Sequence, residues 1–121
     1  MTGDELALRL GALASPQRLR ILAALARGRR YVSELAREVG LSRPLVHAHL
    51  VKLAAAGLVT SELELSPEGH AIRYVRATDF ELVLTPAAIA EAVATMTIPE
   101  RGPGTARRRA SQPDATELEQ T

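Results

Sequence analysis

Three histidines and a short run of hydroxyl and basic residues supply most of the recognition chemistry in this sequence. Ser42, Arg43 and Pro44 open a segment that continues through His47, Ala48, Val51 and Lys52. At about 100° per residue, an α-helix starting here places Val46, Leu50 and Leu53 on one face and Pro44, His47, Ala48 and Val51 on the other. The second face suits a duplex. Arg43 and Ser42 at the helix start can reach base edges, Arg43 ideally as a bidentate donor to guanine. His47 donates or accepts, Pro44, Ala48 and Val51 offer apolar contact to thymine methyls, and Lys52 at the edge of the face suits a phosphate. Enzymatic activity is not expected. The chain has no cysteine nucleophile, no glycine-rich phosphate loop and no His–carboxylate pair on elements that would converge.

The histidines also raise the question of metal. His47 and His49 stand two residues apart, which on a helix separates them by about 160° around the axis, so they cannot share one ion within that helix. His49 falls about 65° from the centre of the apolar face and is expected to be half-buried and hydrogen-bonded. His70, with Glu68 and Glu64, is a candidate hard N/O site for zinc, nickel or cobalt, set against the alternative of a solvated turn histidine. With no cysteine in 121 residues there is no disulfide, thiolate site or thiol redox switch.

The elements that must position these residues are marked by caps and breakers. Ser33 is a candidate cap for a short helix with Leu35, Ala36 and Val39 at helical spacing, ended by Gly40; Leu41 plugs the corner and Ser42 caps the next helix, which runs to Ala56 before Gly57. Upstream, residues 4–14 read as a helix with Leu6, Leu10 and Leu13 on one face. Ser15 and Pro16 start a second helix, with Leu19, Leu22, Leu25 and Ala26 as its buried stripe. Downstream, residues 58–65 and 71–77 read as two strands joined by the turn Ser66-Pro67-Glu68-Gly69, a hairpin beside the helix pair. Thr85 and Pro86 begin a last helix that is apolar nearly all round. With the Leu6, Leu10 and Leu13 stripe, its Ile89, Val93 and Met96 make the candidate dimer interface.

Charge follows the same geography. Residues 18–52 hold eight Lys or Arg against two Glu, whereas residues 53–97 hold two Arg against six acidic residues, so a whole-chain net charge of +1 conceals one basic end. Arg18, Arg20, Arg29, Arg30 and Tyr31 are candidate phosphate contacts, as are His70 and Arg73 in or beside the hairpin. Glu62, Glu64 and Glu68 argue against a hairpin that hugs the backbone.

A chain of this length supports one domain, here residues 1–97, whose core of Leu, Val, Ile and Ala is small enough to favour dimerisation. Residues 98–121 lose apolar periodicity and gather Pro99, Gly102, Pro103, Gly104 and Pro113, and are expected to be a disordered tail. No apolar run reads as a signal or membrane segment, which points to a cytoplasmic protein without a membrane partner.

The stretches SPQRLRILAAL and VSELAREVGLSRPLVHAHLVKLAAAGLV, followed by a hairpin and a final helix, resemble the ArsR/SmtB-type winged helix-turn-helix transcription regulators over about residues 4–97. The resemblance implies a mainly α fold with a small β-hairpin wing, four helices preceding two strands and a fifth helix following. It further implies a dimer built from the first and last helices, recognition helices in successive major grooves of double-stranded DNA, wings on the flanking backbone, and release by a metal or another effector. Two departures bear on the effector. Tyr31 and Ser33 stand at the positions that match the cysteines of thiolate-using members, and residues 85–97 contain no histidine for the other usual site. The expected function is a homodimeric, sequence-specific DNA-binding regulator. The alternatives are the same fold answering to a divalent metal through a His/carboxylate site, and a winged-helix interaction module working with a separate sensor protein.

Overall fold

Hydroxyl caps set the starts of four helices. In the computed structural model, which describes residues 1–97, the order is α1 (Gly3–Leu13), α2 (Pro16–Leu25), β1 (Arg30–Tyr31), α3 (Val32–Val39), α4 (Arg43–Ala55), β2 (Val59–Leu65), β3 (Ala71–Ala77) and α5 (Pro86–Ala94). The side chains of Thr2, Ser15, Ser42 and Thr85 each accept a hydrogen bond from an amide in the first turn that follows, and proline occupies the first turn of α2, α4 and α5. The tail expected at residues 98–121 lies outside the described residues.

The start of α3 departs from expectation. Its N-cap is Tyr31, which makes no side-chain cap bond, and Ser33 lies inside the helix. The cause is β1, which sequence reading missed: Arg30 and Tyr31 pair with Val75 and Tyr74 of β3, so the chain leaves a strand directly into the helix. The sheet is antiparallel in the order β1-β3-β2, with Val59 opposite Ala77 and Leu65 opposite Ala71 in the hairpin.

Ile21, Leu35, Val46, Leu53 and Leu58 are fully buried and knit α2, α3, α4 and the root of the hairpin into one core. Each contributes about 1.5 to 3 kcal/mol by leaving water. The stripe on α2 is Ile21, Ala24 and Leu25, with Leu22 partly buried, while Leu19 is 52% exposed and Ala26 is also exposed. Apolar residues surround this helix on several sides, so spacing alone does not choose the packed face.

Close packing of α1 on α5 closes the chain. A Cβ placed on Gly3 would lie 2.5 Å from the Ala92 carbonyl oxygen and 2.9 Å from Met96 Cβ, so the two helices meet where no side chain fits. The Gly3 amide donates to Thr95 Oγ1 at 3.2 Å and the Thr97 amide donates to Asp4 Oδ2 at 2.9 Å. These contacts correct the expected dimer stripe. Leu6 is buried within the chain, where it lines a small cleft with Ala88 and Ala92, Leu13 packs on the core, and Leu10 is half-buried. Ile89, Val93 and Met96 do remain outward, together with Val83 and Leu84 of the preceding loop.

Candidate nucleic-acid interface

The turn between α3 and α4 is made by Gly40 in the left-handed conformation, φ 71° and ψ 31°, which a side chain would disfavour. The Leu41 amide donates to the Ala36 carbonyl at 3.1 Å and its side chain packs on the core, so the angle between the helices is held from both sides. Burial of Val46, Leu50 and Leu53 then fixes the rotation of α4. The consequence is one exposed face carrying Ser42, Arg43, Pro44, His47, Ala48, Val51 and Lys52. Among the described residues, the side chains of Arg43, His47 and Lys52 have no ion pair or hydrogen bond, so their donors are open to a ligand.

His49 behaves differently from its neighbours. It is half-buried and its Nδ1 accepts from Arg18 Nε at 3.2 Å, while Arg18 Nη1 donates to the Gly11 and Ala12 carbonyls at 3.4 and 3.3 Å. Arg18 therefore ties α2 to α1 and α4. Its expected role as a phosphate contact is corrected on this ground, since its guanidinium is already shared among three internal acceptors.

Arg30 is corrected likewise. Its Nε pairs with Glu38 at 3.0 Å and its Nη1 donates to the Gly28 and Arg29 carbonyls at 2.9 and 3.0 Å, leaving its side chain 19% exposed. Tyr31 is half-buried and edge-on to Tyr74, with ring centroids 6.2 Å apart, and so packs against the middle of β3. Arg20 and Arg73 are exposed; Arg73 Nη1 donates to Ser61 Oγ at 3.2 Å on the side of the hairpin that faces α4. His70 is exposed at the tip, where its backbone closes the turn against Ser66.

Arg29 is the residue whose role sequence reasoning missed. Its Nη1 lies 2.9 Å from Glu62 Oε1 and 2.6 Å from Glu64 Oε1, its Nη2 donates to Glu64 Oε2 at 3.0 Å, and its guanidinium carbon sits 4.0 Å from the centroid of the Tyr74 ring. Arg76 adds a second bond to Glu62 at 3.0 Å. The guanidinium of Arg29 holds the Glu62 and Glu64 carboxyls below their ordinary range, with Arg76 assisting at Glu62. Arg29 is thus a strap across the hairpin, and the two carboxylates that would repel a phosphate backbone are internally neutralised. The available signal was Glu62 and Glu64 on one strand face, an arrangement that calls for a cation.

No group of three or more His, Asp or Glu side chains comes together among the described residues. Glu64 is committed to Arg29, so the set His70, Glu68 and Glu64 is not assembled as a metal site.

A sequence profile described as "Bacterial regulatory protein, arsR family" matches residues 15–61. An uncharacterised helix-turn-helix transcriptional regulator of Methanocaldococcus jannaschii is 42% identical over 73 residues, which cover 60% of this chain and 76% of that protein. The chain belongs to the arsR family of transcriptional regulators. The helix-turn-helix transcriptional regulator CmtR of Mycobacterium tuberculosis is 46% identical over 70 residues, or 57% of this chain and 56% of CmtR, so the match spans little more than half of that relative. The fold agrees with a homodimeric winged helix-turn-helix DNA-binding domain from Mycobacterium bovis, itself a possible ArsR-family regulator: TM-score 0.56, 27% identity, covering 98% of this chain and 85% of that one. β2 and β3 are accordingly the wing and α4 the recognition helix. The metals associated with the family find no fit in the described residues, because Tyr31 and Ser33 offer no thiolate and α5 carries no histidine.

Proposed function

We propose that this regulator binds double-stranded operator DNA as a homodimer through α4 and the wing, a role that places it in the cytoplasm. The observation that carries the reading is the exposed face of α4, on which Arg43, His47 and Lys52 have donors unengaged among the described residues, beside Ser42, Pro44, Ala48 and Val51. Arg43 and His47 read base edges, Lys52 and Arg20 take phosphates, and Arg73 and His70 carry the wing along the adjacent backbone. Outward-facing Ile89 and Val93 on α5, with Met96 just after it, support the dimer, as does the homodimeric state of the Mycobacterium bovis relative. Residues 1–97 form the domain that performs both tasks.

Footprinting on the DNA upstream of its own gene is the test. A protected, two-fold related site whose affinity falls steeply with salt is expected. Binding that is weak and indifferent to sequence would remove the proposal.

A further inference from the structure

Between α4 and the wing lies a cleft of about 370 Å³, within the range of roughly 300 to 1,000 Å³ typical of small-molecule sites. Its lining is divided by chemistry. Buried Leu50, Val59 and Val75 contribute apolar surface, with exposed Val51 beside them, whereas Arg73, Ser61 and His47 supply polar groups. Among the described residues no carboxylate lines the cleft and Arg73 makes no ion pair, its one side-chain bond there being to Ser61. A phosphodiester backbone can satisfy Arg73 but brings no apolar group to cover the exposed Val51 and Ala54 beside the buried floor of Leu50, Val59 and Val75. An amphipathic monoanion satisfies both.

We propose that this cleft is an effector site for a small organic acid with a compact apolar body. The carboxylate pairs with Arg73 and accepts from the Ser61 hydroxyl, and the body lies on Leu50, Val51, Val59 and Val75. Because His47, Val51 and Arg73 belong to the surface assigned above to DNA, the acid and the operator compete for one place, and binding of either lowers the apparent affinity of the other. This regulatory step rests on the proposed DNA-binding role, whereas occupancy of the cleft stands without it.

The full chain is titrated calorimetrically with 2-naphthoate and with 2-naphthalenemethanol, its uncharged match, and amide NMR shifts locate the site. Naphthoate is expected to bind about tenfold or more tightly than the alcohol, the worth of a charge-assisted bond, and to move the amides of Val59, Ser61 and Val75. Arg73→Gln should abolish the difference between acid and alcohol. Ala54→Trp, at an exposed position of the lining, should exclude both ligands, with thermal unfolding followed to show that the variant is folded. Absence of naphthoate binding to the free protein, equal affinity for acid and alcohol, or retention of the preference in Arg73→Gln each overturns the site. Naphthoate bound in the cleft with operator affinity unchanged overturns the competition. Failure of the ligand-free protein to bind any DNA overturns the operator reading instead and leaves the naphthoate result standing.

Discussion

Arg43 and Lys52 sit on the same exposed face yet serve different parts of the proposed contact. Arg43 begins α4 and Lys52 lies more than two turns further along; in the proposed complex the first reaches into the major groove and the second meets the phosphate wall. Arg43→Ala is expected to cost about 1 to 3 kcal/mol on the operator and to narrow the margin over random DNA. Lys52→Ala should weaken both DNAs alike and reduce the salt slope by about one ion. Fluorescence anisotropy on the two DNAs across a salt series separates the cases, and parallel losses in both variants would show that α4 meets DNA by another face. Arg18 and Arg30 carry the same charge but are engaged internally, so their removal should register in thermal stability before it registers in the salt slope.

At the scale of elements, the root of the wing is held by buried Leu58, Val59 and Val75, and the Arg29 strap ties the exposed part of β2 to the segment before β1. Glu62 and Glu64 have lowered carboxyl pKa values in the folded chain. For groups shifted in this direction the stabilisation is complete above the ordinary value of 4.5 and is lost as pH falls through the lowered folded values. Wing amides should therefore keep their hydrogen-exchange protection at neutral pH and lose it below that value ahead of the α4 amides; simultaneous loss would deny the strap a separate role. Arg29→Gln should reproduce the acid behaviour at neutral pH and lower operator affinity without changing which bases are preferred. The strap is hard to read from sequence because its partners lie 33 and 35 residues away and β1 is two residues long, too short to carry a period. The helix starts are legible because Ser15-Pro16, Ser42-Arg43-Pro44 and Thr85-Pro86 encode their caps locally. The packed face of α2 is not, since leucines on several sides leave the choice to tertiary contacts.

Across the whole molecule, the join between α1 and α5 determines which apolar surface is left for a second copy. Gly3, Leu6 and Ala92 are buried within the chain, and Asp4 is held below its ordinary carboxyl range by the Thr97 hydroxyl and amide. Gly3→Val should separate the two helices at a cost of about 1 to 3 kcal/mol, as overpacking of a close contact does, and calorimetric unfolding checks it. The outward apolar face of α5 is legible in its near-continuous apolar character, but the intrachain partner of Leu6 depends on the Gly3 approach, which one glycine in a sequence does not announce. What remains outward is Ile89, Val93 and Met96, with Val83 and Leu84 close in the chain. In the proposed dimer, burying this surface against its symmetry mate is the economical way for so small a core to gain area, and it would set the spacing between the two copies of α4. Ile89→Glu and Val93→Glu each place a charge there, and at micromolar concentration at least one should shift sedimentation from dimer to monomer while leaving helical circular dichroism in place. The monomeric variant should keep its weak, salt-sensitive affinity for random DNA but lose most of its affinity for a two-fold operator, because a single α4 reads one half-site. A wild-type chain that sediments as a monomer both with and without DNA would end the dimer proposal, and undiminished operator binding by a variant shown to be monomeric would end the argument that two copies are needed to read the site.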